Sequence, residues 1–269
     1  MNSILPSSKV HCVIKFKSLV LPSLLLALPV FGGTPSFKEP LAPAAAPEAW
    51  EFRMGLPLWV SGLDGDAGAR GRVAPVDVAF ADIIPQIDMA AALSFEARRG
   101  RWGFLTNGIY MDLSNVAGSP GPLIDDLKVQ IKQLMLDGAV SYAVVESNCT
   151  SVEMLAGVRY NHIKLGLTIQ SQSDDFSADK TESWVDPYVG MLARTHISES
   201  VSLVGKADIG GFDVGSKLTW QLYGGVEFQI SESCHIGVGY RYLSVDYASD
   251  GFIYDMNTSG PQLEVEFTF

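Results

Sequence analysis

Three histidines in the body of the chain are the residues best suited to catalysis, because nucleophilic hydrolysis needs a histidine beside a serine or cysteine and an orienting acid. They are His162, His196 and His235. His196 precedes the segment Ile197–Glu199, and Cys234 directly precedes His235, but sequence neighbours on a strand point to opposite faces. No nucleophile–base pair can be named from these positions, so we expect no enzyme activity and no cofactor.

One acidic segment invites comparison with a calcium loop. Leu63–Gly68 (LDGDAG) alternates aspartate and glycine, but it lacks the full ligand spacing and the late bidentate glutamate. We therefore expect no metal site there and a solvated loop instead. Cys149 and Cys234 are expected to be free thiols, because the strand order described below places them too far apart to bridge.

A larger set of charged residues lies on the polar side of segments in which polar and apolar residues alternate. Because side chains alternate across a strand, these residues would line the interior of a barrel whose outer face is apolar. They would form an ion-paired filling, which we favour for any single charge, or a narrow constriction selective for small solutes. The pore-lining candidates are Arg53, Asp88, Glu96, Arg98, Glu153, Arg159, Asp186, Arg194, Lys206, Asp208, Glu227, Arg241, Glu264 and Glu266.

Ten segments of alternating polarity position these charges, and each is long enough for a strand. Two of them change phase, near Gln133 and near Asn161-His162, where we expect a β-bulge to restore the facing. The ten segments are about Trp50–Val60, Ile87–Arg98, Trp102–Leu113, Lys128–Val144, Val152–Gln170, Trp184–Ile197, Val201–Phe212, Lys217–Ile230, His235–Tyr247 and Gly260–Phe269.

The connections between these segments alternate between two classes of length. Bacterial outer-membrane barrels have short periplasmic turns and longer external loops, so ten strands would place both termini in the periplasm. Ala79–Ile84 (AFADII), within the first long connection, is expected to form a short helix stopped by Pro85. The longer class is about Ser61–Gln86, Ser114–Leu127, Ser171–Ser183, Asp213–Ser216 and Ala248–Ser259, and the shorter class is Arg99–Arg101, Glu146–Ser151, Ser198–Ser200 and Ser231–Cys234.

The N-terminal segment is typical of a secretory signal peptide. Lys9, Lys15 and Lys17 precede the apolar stretch Ser18–Phe31, which is short for a membrane-spanning helix, although an uncleaved anchor is the alternative. We assign residues 1–33 to the signal peptide, 34–49 to a Pro/Ala-rich periplasmic linker and 50–269 to one β-barrel domain.

Composition limits the classes of protein that fit. The 269 residues are 47% hydrophobic and 18% charged, so the mature chain is either a well-packed soluble β protein or a barrel facing lipid. With 19 basic against 30 acidic residues, the net charge of −11 argues against nucleic acid as a partner.

The chain resembles the small outer-membrane β-barrel proteins of Gram-negative bacteria, a group that includes OmpW-like and OmpA-membrane-domain-like barrels. The resemblance rests on the signal-like start, the ten segments, His235–Tyr247 (HIGVGYRYLSVDY) and the C-terminal sequence LEVEFTF. Members usually have eight strands, so eight and twelve remain alternatives to ten. Omptin-like proteases also have ten strands, but their acidic pair and His–Asp pair find no match here.

The resemblance implies an all-β, closed, antiparallel, up-and-down transmembrane barrel in the cell outer membrane. The partners it implies are outer-membrane lipid, lipopolysaccharide and, during insertion, the barrel-assembly machinery, which recognises a terminal aromatic such as Phe269, with Phe267. The expected function is a narrow porin-like channel for small solutes or a structural surface barrel. The alternative is a surface-binding, adhesin-type barrel that acts through acidic external loops, and a soluble β-sandwich is the alternative fold.

Overall fold

Ten strands form a closed antiparallel barrel in the computed structural model, which describes residues 49–114, 124–171 and 176–269. Two further strands form a hairpin within the first connection. Among these residues no helix is long and apolar enough to cross a bilayer. The strands are β1 Glu51–Trp59, β2 Gly62–Ala69, β3 Arg72–Val78, β4 Ile87–Arg99, β5 Trp102–Leu113, β6 Ile124–Glu146, β7 Thr150–Ser171, β8 Phe176–Ser198, β9 Val201–Gly210, β10 Leu218–Ser231, β11 Cys234–Ser249 and β12 Phe252–Thr268.

The last strand closes the ring against the first. β12 pairs with β1 from Arg53 opposite Thr268 to Trp59 opposite Gln262. The backbone groups of Phe52 and Phe269 exchange two hydrogen bonds of 3.1 and 3.0 Å. The prediction of a closed ten-strand barrel is therefore confirmed. The start of β1 and the end of β12 lie together at what we call the near end.

A hairpin occupies part of the segment for which a solvated loop was expected. β2 continues the line of β1 along β12, with Asp66 opposite Asp255, and β3 folds back on β2. The turn uses Arg70 and Gly71 at φ values of 53° and 79°, which suits the positive φ of a type I′ turn. The loop expectation is wrong here, whereas the short helix is confirmed as α1, Phe80–Ile83, followed by a 3₁₀ turn containing Pro85.

The longer strands reverse the polarity of their two faces partway along. On β7 the inward side chains nearer the near end include Glu153 and Arg159, and their outward neighbours Met154 and Val158 are exposed. Further along, the buried inward residues are apolar, from Ile163 onward, and the outward ones are polar. The strand therefore has a polar interior face at one level and an apolar interior face at the next.

This reversal replaces the two expected bulges. The register from Gln133 opposite Ile163 to Met135 opposite Asn161 is continuous, and Asn161 lies opposite Trp184 on β8 without a shift. The apparent phase changes on β6 and β7 therefore lie side by side at one height. The bulge prediction is wrong. Odd-numbered residues of β6 and β7 continue to face inward past this height, but the residues suited to each face change from polar inside and apolar outside to the reverse.

An apolar belt surrounds the barrel below that height. On β6 the belt runs over residues 134–144, and eleven residues at about 3.3 Å each, tilted by about 40°, span about 28 Å. Outward aromatic residues lie toward its two borders, among them Trp102 and Tyr142 at the near end and Trp220 and Tyr242 at the other. The apolar belt is formed by exposed Met54, Leu56, Leu58, Met89, Leu93, Phe104, Leu136, Val140, Val144, Met154, Val158, Val185, Val189, Met191, Leu203, Ile209, Leu222, Phe228, Ile230, Val238, Leu263 and Phe267.

Beyond the belt lies a far section with an apolar core. It consists of the β2–β3 hairpin, α1 and the parts of the barrel strands that extend past the reversal. β2 packs across the lumen against β7 and β8. The largest buried side chains there include Leu63, Ile131, Leu165, Phe252 and Tyr254.

The connections are less unequal than the sequence pattern indicated. Much of what we expected to be long loops is strand: β8 begins at Phe176, β11 ends at Ser249 and β12 begins at Phe252. The β11–β12 connection is only Asp250-Gly251, at φ values of 46° and 77°. Polar outward side chains in the far section account for the error, because they resemble loop composition.

Candidate functional site

A buried ion-pair network crosses the lumen within the belt. Arg159 has no exposed surface, and its Nε donates to Asp137 Oδ1 at 2.8 Å. Its Nη2 donates to Asp208 Oδ1 at 3.0 Å, and its Nη1 donates to Thr219 Oγ1 at 3.2 Å. The guanidinium therefore joins three strands and fills the middle of the barrel.

Arg241 continues the network toward the first strand. Its Nε donates to Gln221 Oε1 at 2.8 Å, and Gln221 Nε2 donates to Asp208 Oδ2 at 2.9 Å. The Arg241 guanidinium carbon lies 4.5 Å from the centre of the Trp59 ring, within cation–π range. The side chains of Arg159 and Arg241 thus have partners from several strands, as buried charges require, whereas Asp137 Oδ2 accepts no hydrogen bond from the described residues.

Asp186 anchors a second buried group at the border with the far section. Its Oδ2 accepts hydrogen bonds from Trp184 Nε1 at 3.0 Å and Ser216 Oγ at 2.8 Å. Asn161 also donates to it, at 3.2 Å. Trp184 stacks on Tyr247 with the ring centres 3.7 Å apart and the planes 4° from parallel. This group joins the ion-pair network to the apolar core, because Asp186 lies opposite Arg159 on the neighbouring strand and Trp184 and Tyr247 belong to the core.

The near end of the lumen forms an open polar chamber of about 230 Å³, which we call the near chamber. Arg194 makes a two-pronged contact with Glu96, at 3.2 and 2.6 Å. Arg98 pairs with Glu146 at 3.1 Å and with Glu153 at 3.4 Å. A smaller cavity of about 140 Å³ lies between this chamber and the Arg159 network.

Thirteen of the fourteen pore-lining candidates face this interior. Asp88 does not: it is exposed and lies at the irregularity in β4 between Ile87 and Met89. The pore-lining candidates did not include Gln221, Tyr188 or Trp59, although all three lie on the inward parity of predicted strands. Whether the thirteen guide a solute stays a prediction.

The histidines do not assemble a recognisable catalytic triad in the described part of the chain. His196 Nδ1 lies 2.8 Å from Ser202 Oγ, and His162 Nδ1 lies 2.7 Å from Ser183 Oγ. Neither histidine has a hydrogen bond to a carboxylate among the described contacts. Each pair joins adjacent strands, as a cross-strand hydrogen bond does.

One group of side chains near the mouth has the composition of a metal site. Ligand atoms of Glu227, His235 and Glu266 lie within 4.8 Å of one another. Arg53 already supplies a positive charge, because its Nη1 lies 2.9 Å from Glu266 and 3.8 Å from Glu227. A cation would have to displace this guanidinium.

The two cysteines of the barrel differ. Cys234 is a free thiol, as expected. Cys149 is disulfide-bonded, so the expectation of a free thiol at this position is wrong.

Acidic side chains line up on the outside of the far section. Asp246 lies opposite Asp255, and Asp255 lies opposite Asp66, on three neighbouring strands. Lys217 Nζ approaches Asp246 at 3.3 Å. Partial burial, and after it the charges of Asp246 and Asp66, raise the pKa of the Asp255 carboxyl above its ordinary value.

The barrel wall has a gap between β1 and β4, and a cavity lies behind it. The β1–β4 ladder ends at Gly55 opposite Ser94. The cavity, which we call the side cavity, measures about 90 Å³. It is lined by Pro57, Leu58, Trp59, Ser61, Ala90, Ala91, Ala92, Ile109, Tyr110, Met111, Gln133, Met135, Leu243 and Thr258.

Comparison with known proteins relates the chain to solved barrels in fold. The outer-membrane protease OmpT from Escherichia coli aligns with a TM-score of 0.52 at 10% identity, over 85% of this chain and 99% of OmpT. A major outer membrane protein from Thermus thermophilus aligns with a TM-score of 0.36 at 14% identity, over 82% of this chain and 100% of that one.

The attachment invasion locus protein Ail of Yersinia pestis aligns with a TM-score of 0.32 at 11% identity, over 82% of this chain and 99% of Ail. No family model matches the chain, and no curated protein matches it. Identity this low carries no activity from one protein to another. What the chain shares with OmpT is the fold of a closed antiparallel β-barrel.

Proposed function

We propose that this protein is a non-conducting surface barrel of the outer membrane, in which the lumen is closed and catalysis plays no part. Of the two functions expected from the sequence, the structural barrel is favoured over the narrow channel. The observation that carries this choice is the apolar core of the far section, which lies across the only direct route from the near chamber to the far end within the described residues.

Two layers oppose the passage of solutes. The first is the Arg159 network, in which Arg159 pairs with Asp137 and Asp208 and has no exposed surface. The second is the hairpin packed against the opposite wall, with Leu63 and Val76 buried to 1% exposure. A hydrated ion would have to disrupt both layers, and burying a charge without partners is costly.

The apolar belt supports a location in a bilayer. Its outward side chains are 40–61% exposed, and an apolar band of about 25 Å fits the outer membrane. On this proposal the near chamber opens to the periplasm, and the far section projects among lipopolysaccharide. Phe269 and Phe267 remain the proposed contacts for the barrel-assembly machinery.

Planar-bilayer recording tests the closed lumen. Purified, refolded protein should produce no regular unitary conductance steps in a neutral salt solution, although it inserts. Insertion is checked separately by the heat-dependent gel shift of a folded barrel and by retention in the membrane after urea washing. Regular steps of one size from the intact protein would contradict the proposal and restore the narrow channel.

A surface-binding role is the second candidate, and the row formed by Asp66, Asp255 and Asp246 favours it. Like charges directly opposite one another destabilise a sheet, so their presence on the outside of the far section has a cost that binding a cationic partner would offset. A fluorescent oligolysine peptide should bind the intact protein at low salt, and replacement of the three aspartates by asparagine should abolish this binding. Unchanged binding by that variant would exclude the row as the surface involved.

A further inference from the structure

The gap between β1 and β4 has a chemical cause in the sequence. The backbone N–H and C=O groups of even-numbered β1 residues form hydrogen bonds with β12, as those of Phe52 do with Phe269. The backbone groups of odd-numbered β1 residues therefore point toward β4. After Gly55 opposite Ser94, the next hydrogen-bonded pair would join Pro57 to Ala92. Proline has no N–H to donate, so the ladder ends there.

The edges of the gap are apolar and small. Leu56 and Leu58 are 56% and 57% exposed on one side, and Leu93 is 48% exposed on the other. Across from them stand three consecutive alanines, Ala90–Ala92, whose side chains leave room between the strands. The opening is about four residues long, or about 13 Å.

The side cavity connects this opening with the interior. It passes Trp59 and Met111 and ends on Met135 of β6 and Leu243 of β11, each 2% exposed, which lie on the third strand to either side of the gap. Its height is the border between the polar lumen and the apolar core. The wall on both sides of its entrance belongs to the apolar belt, so the medium at the entrance is hydrocarbon if the belt lies in a bilayer.

We propose that the side cavity binds a hydrocarbon chain of a membrane lipid, which enters laterally between β1 and β4. The inference rests on the bilayer location proposed above. A hydrocarbon chain is the occupant that fits, because it needs no hydrogen bonds and Pro57 offers no donor at the entrance. The bound hydrocarbon chain would also shield from water the backbone groups of Ala92 that have no hydrogen-bond partner on β1.

Fluorescence quenching by brominated lipid tests the proposal, because Trp59 lines the cavity. The intact protein and Trp59→Phe are reconstituted in vesicles of phosphatidylcholine with bromine at the middle of the acyl chains. The difference between their emissions isolates Trp59. We expect this component to lose most of its intensity in brominated vesicles and to resist acrylamide, a quencher dissolved in water.

A matched pair of variants separates the cavity from the outer wall. Ala92→Phe, on the inward parity of β4, should fill the opening and restore the Trp59 emission. Ala156→Phe, on the exposed lipid face of β7, should leave the quenching unchanged. A heat-dependent gel shift confirms that each variant is folded.

The outcomes distinguish this inference from the proposed location. Quenching of Trp59 by acrylamide and not by bromine would show a water-filled opening and overturn the inference. Absence of quenching by either reagent would show a sealed wall and overturn it equally. If lipid-facing Trp220 also escaped bromine, the bilayer location itself would be wrong, whereas conductance remains a separate test of the closed lumen.

Discussion

Arg159 is the charged residue with the greatest consequence for stability. Arg159→Ala would leave Asp137 and Asp208 buried without their main partner, and removing one member of a buried ion-pair group costs about 3–5 kcal/mol. Equilibrium unfolding by urea in lipid vesicles measures the loss of free energy of unfolding.

Arg53→Ala is the control for Arg159→Ala. Its side chain is 24% exposed in the near chamber, where water solvates the glutamates left behind, so the loss should be about 1 kcal/mol or less. Equal losses of free energy of unfolding for Arg159→Ala and Arg53→Ala would contradict the assignment of Arg159 to a dry, ion-paired layer.

Asp255 should destabilise the folded protein at neutral pH. Its pKa is raised in the folded state, so the folded protein binds this proton more tightly than the unfolded chain does. The cost is present above the raised pKa and disappears as the pH falls below the ordinary value. Asp255→Asn should therefore raise the midpoint of thermal unfolding at about pH 7, and the gain should vanish at about pH 3.

Asp179→Asn serves as the control for Asp255→Asn. Asp179 is exposed on the far section and lies opposite Gly166 instead of another carboxylate. Its replacement should leave the midpoint unchanged at both pH values. A gain at Asp255 that persists at low pH would show that ionisation of this carboxyl is not its cause. Concentrated salt should remove only the part of the gain that is due to Asp246 and Asp66.

At the level of the elements, β9 and β10 end lower than their neighbours. β9 reaches β8 only to Gly210 opposite Tyr188, and β10 reaches β11 only to Leu218 opposite Asp246. Above them the wall is completed by side chains, chiefly Trp184 stacked on Tyr247. Trp184→Ala should therefore cost about 3–5 kcal/mol in free energy of unfolding.

Trp220→Ala provides a matched tryptophan on the lipid side. Trp220 stacks on Tyr242 at 4.7 Å, but lipid can occupy the space that its ring leaves, so the loss should be smaller. Trp184→Phe should fall between the two, since it keeps a ring against Tyr247 and loses the hydrogen bonds to Asp186 and Ser216. Similar losses for both alanine variants would show that Trp184 does not close the wall.

The barrel strands were predictable because alternation is a local signal. Lys217–Ile230 differs from β10 by one residue at each end. The β2–β3 hairpin was missed because its inward residues include small ones, such as Ala67 and Ala74, and its outward residues include aspartates, so apolar alternation is weak. The Asp250-Gly251 pair is a strong hairpin signal that would have corrected the last long connection.

The interior charges were predictable as a set, and their pairing was not. Parity alone places Arg194 and Glu96 in the lumen. Their contact joins residues 98 positions apart on β8 and β4, across the barrel. Such partners depend on the tilt and register of the closed ring, which no single segment specifies.

At the scale of the whole molecule, one strand should tolerate a charge at one height and reject it at another. Val158 and Thr168 lie on the same outward face of β7, within the belt and in the far section respectively. Val158→Arg should cost about 2–4 kcal/mol in free energy of unfolding from lipid vesicles, because a charge near the middle of the bilayer is poorly solvated. Thr168→Arg should cost about 0–1 kcal/mol.

The same comparison in thinner vesicles sharpens the test. Shorter acyl chains lower the borders of the hydrocarbon layer, and Val158→Arg should then become less costly. A cost at Thr168 equal to that at Val158 would contradict the position of the belt.

At the level of Gln133, His162 and Trp184 the inward and outward faces of the strands exchange polar for apolar character. The height of this exchange would set how deeply the barrel sits in a bilayer. Because the register continues through this level, the height at which the two faces exchange character is encoded residue by residue, independently on each strand. On β6, β7 and β8 the two faces exchange character at one height, as the proposed location in a bilayer requires. Moving the exchange by two residues on a single strand would leave that strand out of step with its neighbours and tilt the whole ring in its membrane.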